Sequence, residues 1–287
     1  MNSGKFLNQK LIWGLFFVSV LIAVISNLSG AGLNTDKNGP VLSAAFVLPF
    51  LAVYAHAFYA LGGKRSLFFL GLSFLTGLLF EVIGVNFGTA LGQAYSYAMP
   101  GPSLAGVPLV VPLFWFVFIY TVYGSTNAAV RIKGAKLPTA PATQIKFLVF
   151  LILLDAVLLT MIDLIMDPVM VGWGRWSWPG GGSYFNIPVE NFLGWFLISL
   201  LVTGAYRIFE YYHPASEREN EGGIIYIPVL GLTVIYASFI LYAFMMPLRS
   251  LGFMSIFLYL PLAFFLLNMA GNLLKPPGPS AISREKI

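Results

Sequence analysis

The sequence predicts an all-α protein, a polytopic membrane helix bundle of about eight transmembrane helices. Of its 287 residues, 58% are hydrophobic and 9% are charged, a composition that cannot cover the surface of a soluble protein. Apolar runs close to the ~20 residues that a bilayer requires also recur along the whole chain. These runs lie at 11–29, 41–61, 67–87, 108–127, 145–166, 190–209, 224–246 and 251–273.

The segments between the runs complete the predicted organisation. The first run is long for a signal peptide, which favours a retained helix. Residues 88–107 are apolar but are interrupted by glycine and proline, which predicts an extracytoplasmic or re-entrant segment. We expect cytoplasmic loops at 131–143 and 213–223, and a disordered cytoplasmic tail at 275–287. The whole chain, 1–287, is then a single integral membrane domain, without the internal repeat typical of many transporters.

The distribution of basic residues predicts the orientation. With eight spans, 13 of the 16 Lys and Arg residues fall on one side and 3 on the other. The positive-inside rule assigns the richer side, with both termini, to the cytoplasm of a multi-pass protein in the cell (plasma) membrane. The richer side holds Lys5, Lys10, Lys64, Arg65, Arg131, Lys133, Lys136, Lys146, Arg207, Arg218, Lys275, Arg284 and Lys286; the other holds Lys37, Arg175 and Arg249.

The composition also argues against several classes of site. The chain has no cysteine and two histidines, which excludes a disulfide framework and disfavours a zinc or haem centre. It has no glycine-rich phosphate loop on a strand-to-helix turn and no nucleic-acid footprint. We therefore expect no metal, no cofactor and no nucleic-acid partner.

The stretch from Asp155 to Trp195 is the most unusual part of the sequence. An apolar run carries acids and ends in Asp163-Leu-Ile-Met-Asp167-Pro168, where the proline predicts that the helix stops. An aromatic, glycine-rich loop follows, and an apolar run then resumes at Glu190. Ionisable residues inside apolar spans are energetically unfavourable, so each is a candidate for function.

Counting ~1.5 Å per residue gives the depth of each acid. Glu81 lies ~21 Å from the cytoplasmic start of its run, Asp155 near the midplane, and Asp163 at ~27 Å. Asp167 and Glu190 then lie at the outer boundary. Four carboxyls thus converge in the outer half with Arg175 as the nearby cation, whereas Asp155 is rotated by about 80° from Asp163.

The face and burial of these acids suggest a chemical role. Asp163 and Asp167 share a helix face. Glycines on the same face as Glu81 allow neighbouring helices to approach closely, so we expect Glu81 to point into the bundle. A carboxyl buried without a cation favours its neutral form, and a neutral carboxylic acid in a dry site can act as a general acid.

Each residue also has a structural interpretation. Asp167 with Pro168 is typical of a turn cap, and Glu190 with Asn191 is typical of a helix start. Asp155 is equally well explained by a hydrogen bond to a neighbouring helix. We expect His56, placed in the cytoplasmic half, to be packed or hydrogen-bonded. Tryptophans at this depth are typical of an interfacial aromatic belt.

The residues resemble the carotenoid biosynthesis proteins of the CruF-like carotenoid hydratase type, a group that includes the bisanhydrobacterioruberin hydratases of archaea. The resemblance covers about 80–195 and is most specific between the aspartates and Trp195. It is carried by Glu81-x-x-Gly84, Gly88, Tyr95-x-Tyr97, Gly106-Val-Pro108 and Trp115, and by Asp163-x-x-x-Asp167-Pro168, Trp176-x-Trp178, Tyr184, Ile187-Pro188 and Asn191-Phe-x-Gly194-Trp195.

The resemblance implies a hydratase that adds water across the terminal double bond of an acyclic carotenoid, giving a tertiary alcohol. Asp163 or Glu81 is then the proton donor and Asp167 the base that orients water. Asp155 is a further catalytic candidate, from its position in an apolar span and not from the resemblance. Its partners are a carotenoid within the bilayer, water and other enzymes of the pathway. Residues implied to contact substrate are Tyr95, Tyr97, Trp115, Trp176, Trp178, Tyr184, Asn191 and Trp195. Glu190 is added to this set from its position at the outer boundary, outside the resemblance.

Two alternatives remain open at the level of sequence. An Asp-x-x-x-Asp pair is also typical of intramembrane prenyltransferases, which bind a prenyl diphosphate through magnesium. Here the acids fall on the extracytoplasmic side of the membrane, whereas a prenyltransferase site would lie on the cytoplasmic side. A second aspartate-rich motif is also missing. A proton-coupled transporter would use the carboxyls as a relay.

Overall fold

The computed structural model is helical throughout its eight long elements and confirms the predicted all-α class. It describes residues 3–28, 39–88, 93–132, 141–214 and 222–273. Its helices are α1 (Ser3–Leu28), α2 (Gly39–Leu61), α3 (Gly63–Phe87), α4 (Val110–Ile132), α5 (Pro141–Gly172), α6 (Val189–Tyr212), α7 (Ile227–Met245) and α8 (Arg249–Leu273), with a short 3₁₀ helix at Gly222–Tyr226 before α7.

Within the described residues, five helical spans are long and apolar enough to cross a membrane, and they include α3, α4, α5, α6 and α7. The apolar portions described in α1, α2 and α8 are shorter. The chain is therefore a membrane protein, while the number of spans and the side of each terminus stay predictions. The predicted tail and most of the two predicted cytoplasmic loops lie outside the described residues.

Helix α4 is at the centre of the bundle. It contacts α2, α3, α5, α6 and α7, and its side chains Phe116, Ile119 and Tyr123 are buried. Helix α3 is instead exposed along one face, where Leu67 and Leu75 are 61% and 65% exposed. This apolar face packs on none of the described residues and is suited to lipid, while Glu81 lies on the inner face of the same helix.

The prediction that the helix stops at Pro168 is wrong, because α5 continues for four residues to Gly172. A proline removes the N–H that would bond the carbonyl four residues earlier, here that of Leu164. The hydroxyl of Tyr184 donates to this carbonyl at 2.8 Å. A membrane helix tolerates proline when another group satisfies the freed carbonyl, and Tyr184 provides that group.

The loop before α4 packs against α3, α4 and the loop after α5. Its described part is non-helical, as predicted for 88–107, and contains β1 (Ser96–Tyr97), β2 (Ser103–Leu104) and β3 (Val107–Pro108). Strand β1 pairs antiparallel with β4 (Trp176–Ser177), which lies in the loop after α5. The register places Tyr97 opposite Trp176, so this short pair joins the two loops that follow the acid-bearing helices.

Candidate active site

Glu81 lies on the inner face of α3 and is 5% exposed. Three side chains donate hydrogen bonds to its carboxylate. The Trp115 indole donates to Oε1 at 2.9 Å, and the Tyr97 hydroxyl donates to Oε2 at 2.6 Å. The Tyr95 hydroxyl also donates to Oε2. The two tyrosines come from the loop and the tryptophan from α4, so Glu81 is held from two sides.

The glycines around Glu81 allow these donors to approach. A Cβ at Gly77 would lie 2.5 Å from Cδ1 of Trp115, and one at Gly84 would lie 2.6 Å from Cε1 of Tyr95. Real Cβ atoms do not approach other atoms this closely, so any larger residue would displace the donor. Gly77 and Gly84 thus leave room for the aromatic groups that bind Glu81.

A second carboxyl site lies on α5. Asp163 and Asp167 are one helical turn apart, and the side-chain amide of Asn191 donates to both. The Nδ2–Oδ2 distances are 3.0 Å to Asp163 and 2.7 Å to Asp167. Oδ1 of Asp163 is buried, and no N–H or O–H donor among the described residues reaches it. Asn191 lies in the first turn of α6, so this site joins the two helices that flank the aromatic loop.

The two carboxyl sites differ in their hydrogen-bonding environment. Asp163 and Asp167 lie within hydrogen-bonding reach of each other, and two ionised carboxylates in a dry site repel strongly. Glu81 instead accepts hydrogen bonds from three donors. Burial, followed by the charge of Glu81, raises the pKa values of Tyr95 and Tyr97, so both remain hydroxyl donors.

Both sites face one cavity of about 150 Å³. Of the residues predicted to act on substrate, Glu81, Asp167, Tyr95, Tyr97, Trp115, Trp176, Trp178, Glu190, Asn191 and Trp195 line it. The remaining walls are mainly apolar and aromatic. They include Phe46, Phe80, Phe114, Phe118, Met166, Met170, Ile198 and Phe239.

Three predicted residues lie elsewhere. Asp163 is fully buried behind the lining and reaches the cavity only through Asp167 and Asn191. Tyr184 is bonded to the Leu164 carbonyl and is not part of the lining. Asp155 also lies outside the lining, because it forms an ion pair with Arg207.

The Asp155–Arg207 pair has a 2.7 Å Oδ2–Nε distance and is almost completely buried. Thr126 donates to the other oxygen of Asp155 at 2.8 Å. Arg207 also donates to Asn127 at 2.9 Å and to Thr126 at 2.7 Å. Sequence reasoning identified Asp155 as an acid in an apolar helix but assigned Arg207 to the cytoplasmic side without a partner. This arrangement agrees with the structural interpretation of Asp155.

His56 is held by two hydrogen bonds, and Gln93 lies at the cavity. Both ring nitrogens of His56 are hydrogen-bonded, to the Tyr120 hydroxyl at 2.9 Å and the Ile224 carbonyl at 3.1 Å, which confirms that it is a bonded histidine. Gln93 lines the cavity but was not predicted, because a lone polar residue in a loop gives no periodic signal. Within the described part of the chain, no three His, Asp or Glu side chains form a group able to hold a metal ion.

Comparison with known proteins identifies the family. The family model described as "Carotenoid biosynthesis protein" matches residues 41–260, from α2 into α8, and confirms the resemblance found in the sequence. Searches of curated proteins and of solved structures found no match. Since the match covers well over half of the chain, this protein belongs to the carotenoid biosynthesis protein family.

Proposed function

We propose that the protein is a carotenoid hydratase, which adds water to the terminal double bond of an acyclic carotenoid within the membrane. One observation carries this proposal: two separate carboxyl sites face a single cavity whose other walls are mainly apolar and aromatic. Hydration of an alkene needs an acid to protonate carbon and a base to take a proton from water. It also needs a site from which bulk water is excluded.

The Asp163–Asp167 pair is the proposed acid. Two carboxyls in contact share a proton, as in other carboxylate pairs, and Asp167 is the member that lines the cavity. Asp167 therefore delivers the proton to the less substituted alkene carbon, and the buried Asp163 replenishes it. This differs from the assignment suggested by the resemblance, in which Asp167 is the base.

Glu81 is the proposed base. Its three donors offset part of the desolvation of its carboxylate, and the same tyrosines can accept a hydrogen bond when Glu81 becomes protonated. The π electrons of the double bond form the new C–H bond, leaving a tertiary cation. Water oxygen attacks this cation, and Glu81 takes the released proton. The proton then returns to the Asp pair, so atoms and charge balance over one turnover.

The aromatic lining fits the charge of the intermediate. The indoles of Trp115 and Trp195 have ring centroids 4.1 Å apart, and both rings line the cavity. Aromatic faces attract cations through their quadrupole and offer no lone pair that would trap a carbocation. The apolar residues beyond them suit the polyene chain that follows the reacting end group.

The test is the ratio of hydrated to unhydrated carotenoid per unit of folded protein, measured by mass in cells that make each variant. Asp167→Asn and Glu81→Gln keep shape but remove the titratable proton, and each should lower the ratio by at least ~10²-fold. Asp155→Asn is the matched control, because it removes a buried acid of the same helix that does not line the cavity. Full hydration by both site variants would refute the proposal.

Deuterated water separates the two roles. With Glu81→Gln, Asp167 still protonates the alkene, and the cation reverts by losing a proton, so unreacted carotenoid should gain deuterium at the end group. With Asp167→Asn neither deuterium nor hydroxyl should appear. The opposite pattern would exchange the roles of Glu81 and Asp167.

A further inference from the structure

Tyr184 has an uncommon structural position. Pro168 has no N–H, so the Leu164 carbonyl lacks the donor that an α-helix normally provides. The Tyr184 hydroxyl takes the place of that donor, at 2.8 Å. Helix α5 thereby continues to Gly172 although a proline lies inside it.

The affected carbonyl belongs to the turn that carries the acid pair. Leu164 follows Asp163 directly, and Pro168 follows Asp167 directly. Any change in the conformation of this turn therefore changes the separation of the two carboxyls and their direction relative to the cavity. A rotation of the turn would also alter the bonds that both aspartates accept from Asn191.

Tyr184 is itself fixed with respect to Asn191. Its backbone forms a bridge with Ile187, with N–O distances of 2.9 and 3.3 Å. Its ring packs edge-on against Phe192, the residue after Asn191, with centroids 5.2 Å apart. Tyr184 therefore contacts both sides of the acid site, the α5 turn through its hydroxyl and the α6 start through its ring.

We propose that Tyr184 is a positioning residue that holds the Asp163–Asp167 turn in register with Asn191 by replacing the N–H that Pro168 lacks. This inference rests on the proposed hydratase function. Tyr184 contacts no substrate, because it lies outside the lining of the cavity. Its effect should therefore appear in kcat and not in KM.

The first experiment compares Tyr184→Phe with Tyr236→Phe, using membranes supplied with an acyclic carotenoid in lipid vesicles. Tyr236 is a matched control, because its hydroxyl also points to an α5 carbonyl, that of Leu158, at 3.4 Å. The residue four positions after Leu158 is Ile162, which keeps its own N–H. Tyr184→Phe should lower kcat by about tenfold to hundredfold at unchanged KM. Tyr236→Phe should change neither by more than about twofold.

The second experiment adds Pro168→Ala to Tyr184→Phe. The alanine supplies an N–H to the Leu164 carbonyl, so the double variant should recover most of the lost kcat and of the lost thermal stability. Three results would overturn the proposal. They are a wild-type kcat in Tyr184→Phe, a fall in kcat equal to that of Tyr236→Phe, and no recovery of kcat in the double variant. If wild type itself does not hydrate carotenoid, the function fails, but recovery of the unfolding midpoint still tests the hydrogen bond independently.

Discussion

The buried Asp155–Arg207 pair gives a quantitative test of which acids serve architecture. Asp155→Leu would leave the Arg207 guanidinium buried without its counterion, 4.7 Å from the Tyr123 ring centroid. Arg207→Met would leave Asp155, which is 0% exposed, with Thr126 as its hydrogen-bond donor. Removing one member of a buried pair typically costs about 3–5 kcal/mol of unfolding free energy.

The double variant Asp155→Leu with Arg207→Met should behave differently. It removes both charges of the pair, and replacing a buried pair with apolar residues of similar volume is often neutral. For a chain of this size, 1 kcal/mol corresponds to about 2–4 °C in the unfolding midpoint. Each single variant should therefore lose roughly 6–20 °C, whereas the double variant should unfold close to wild type.

The assay is thermal unfolding in detergent, followed by tryptophan fluorescence, together with the hydration ratio per folded protein. Asp155 lies 12 residues before Asp167, or ~18 Å along the helix axis, so the double variant should hydrate normally. Single variants as stable as wild type would refute the energetic reasoning. A stable double variant without hydration would return Asp155 to the candidates for catalysis.

Three further predictions concern the site and the topology. Gly77→Ala and Gly84→Ala should each reduce hydration per folded protein by at least about tenfold, because the new Cβ meets Trp115 or Tyr95. Gly71→Ala is the control on the same helix, since nothing lies within 4 Å of its Cβ. Normal hydration in all three variants would contradict the proposed role of the donors. Reporters fused after Lys133 and at the C-terminus should read cytoplasmic and one after Gly181 extracytoplasmic, whereas a cytoplasmic signal from the last would reverse the predicted orientation of the site. Hydration in isolated membranes should survive chelators and need no nucleotide; loss with chelator and recovery with magnesium would instead favour prenyl transfer.

The sequence predicted the helices well because their signal is local. A run of ~20 apolar residues is visible without any knowledge of neighbours, so all eight runs coincide with helices in the structure. The one clear error, the end of α5 at Pro168, came from a local rule that a distant residue overrides. Tyr184 supplies the missing donor from 20 positions away, and nothing in the sequence of α5 indicates that it would.

The site was partly predictable for the same reason. Acids in apolar runs stand out, and Glu81 and Asp167 do line the cavity. Their partners do not stand out, because pairing depends on which helices become neighbours. Arg207 lies 52 residues from Asp155, and Asn191 lies 28 residues from Asp163. The difference between Glu81, with its three hydrogen-bond donors, and the Asp163–Asp167 pair therefore emerges only from the packing of α3, α4, α5 and α6.

The short β1–β4 pair connects the two carboxyl sites. Tyr97 and Trp176 lie directly opposite each other in this pair, with ring centroids 5.7 Å apart. Tyr97 donates to Glu81, and the Trp176 side chain hydrogen-bonds Asp167. A hydratase needs its acid and base at a fixed separation, because the same end group and one water molecule must reach both. The loops that carry β1 and β4 therefore link the groups that would move the two protons.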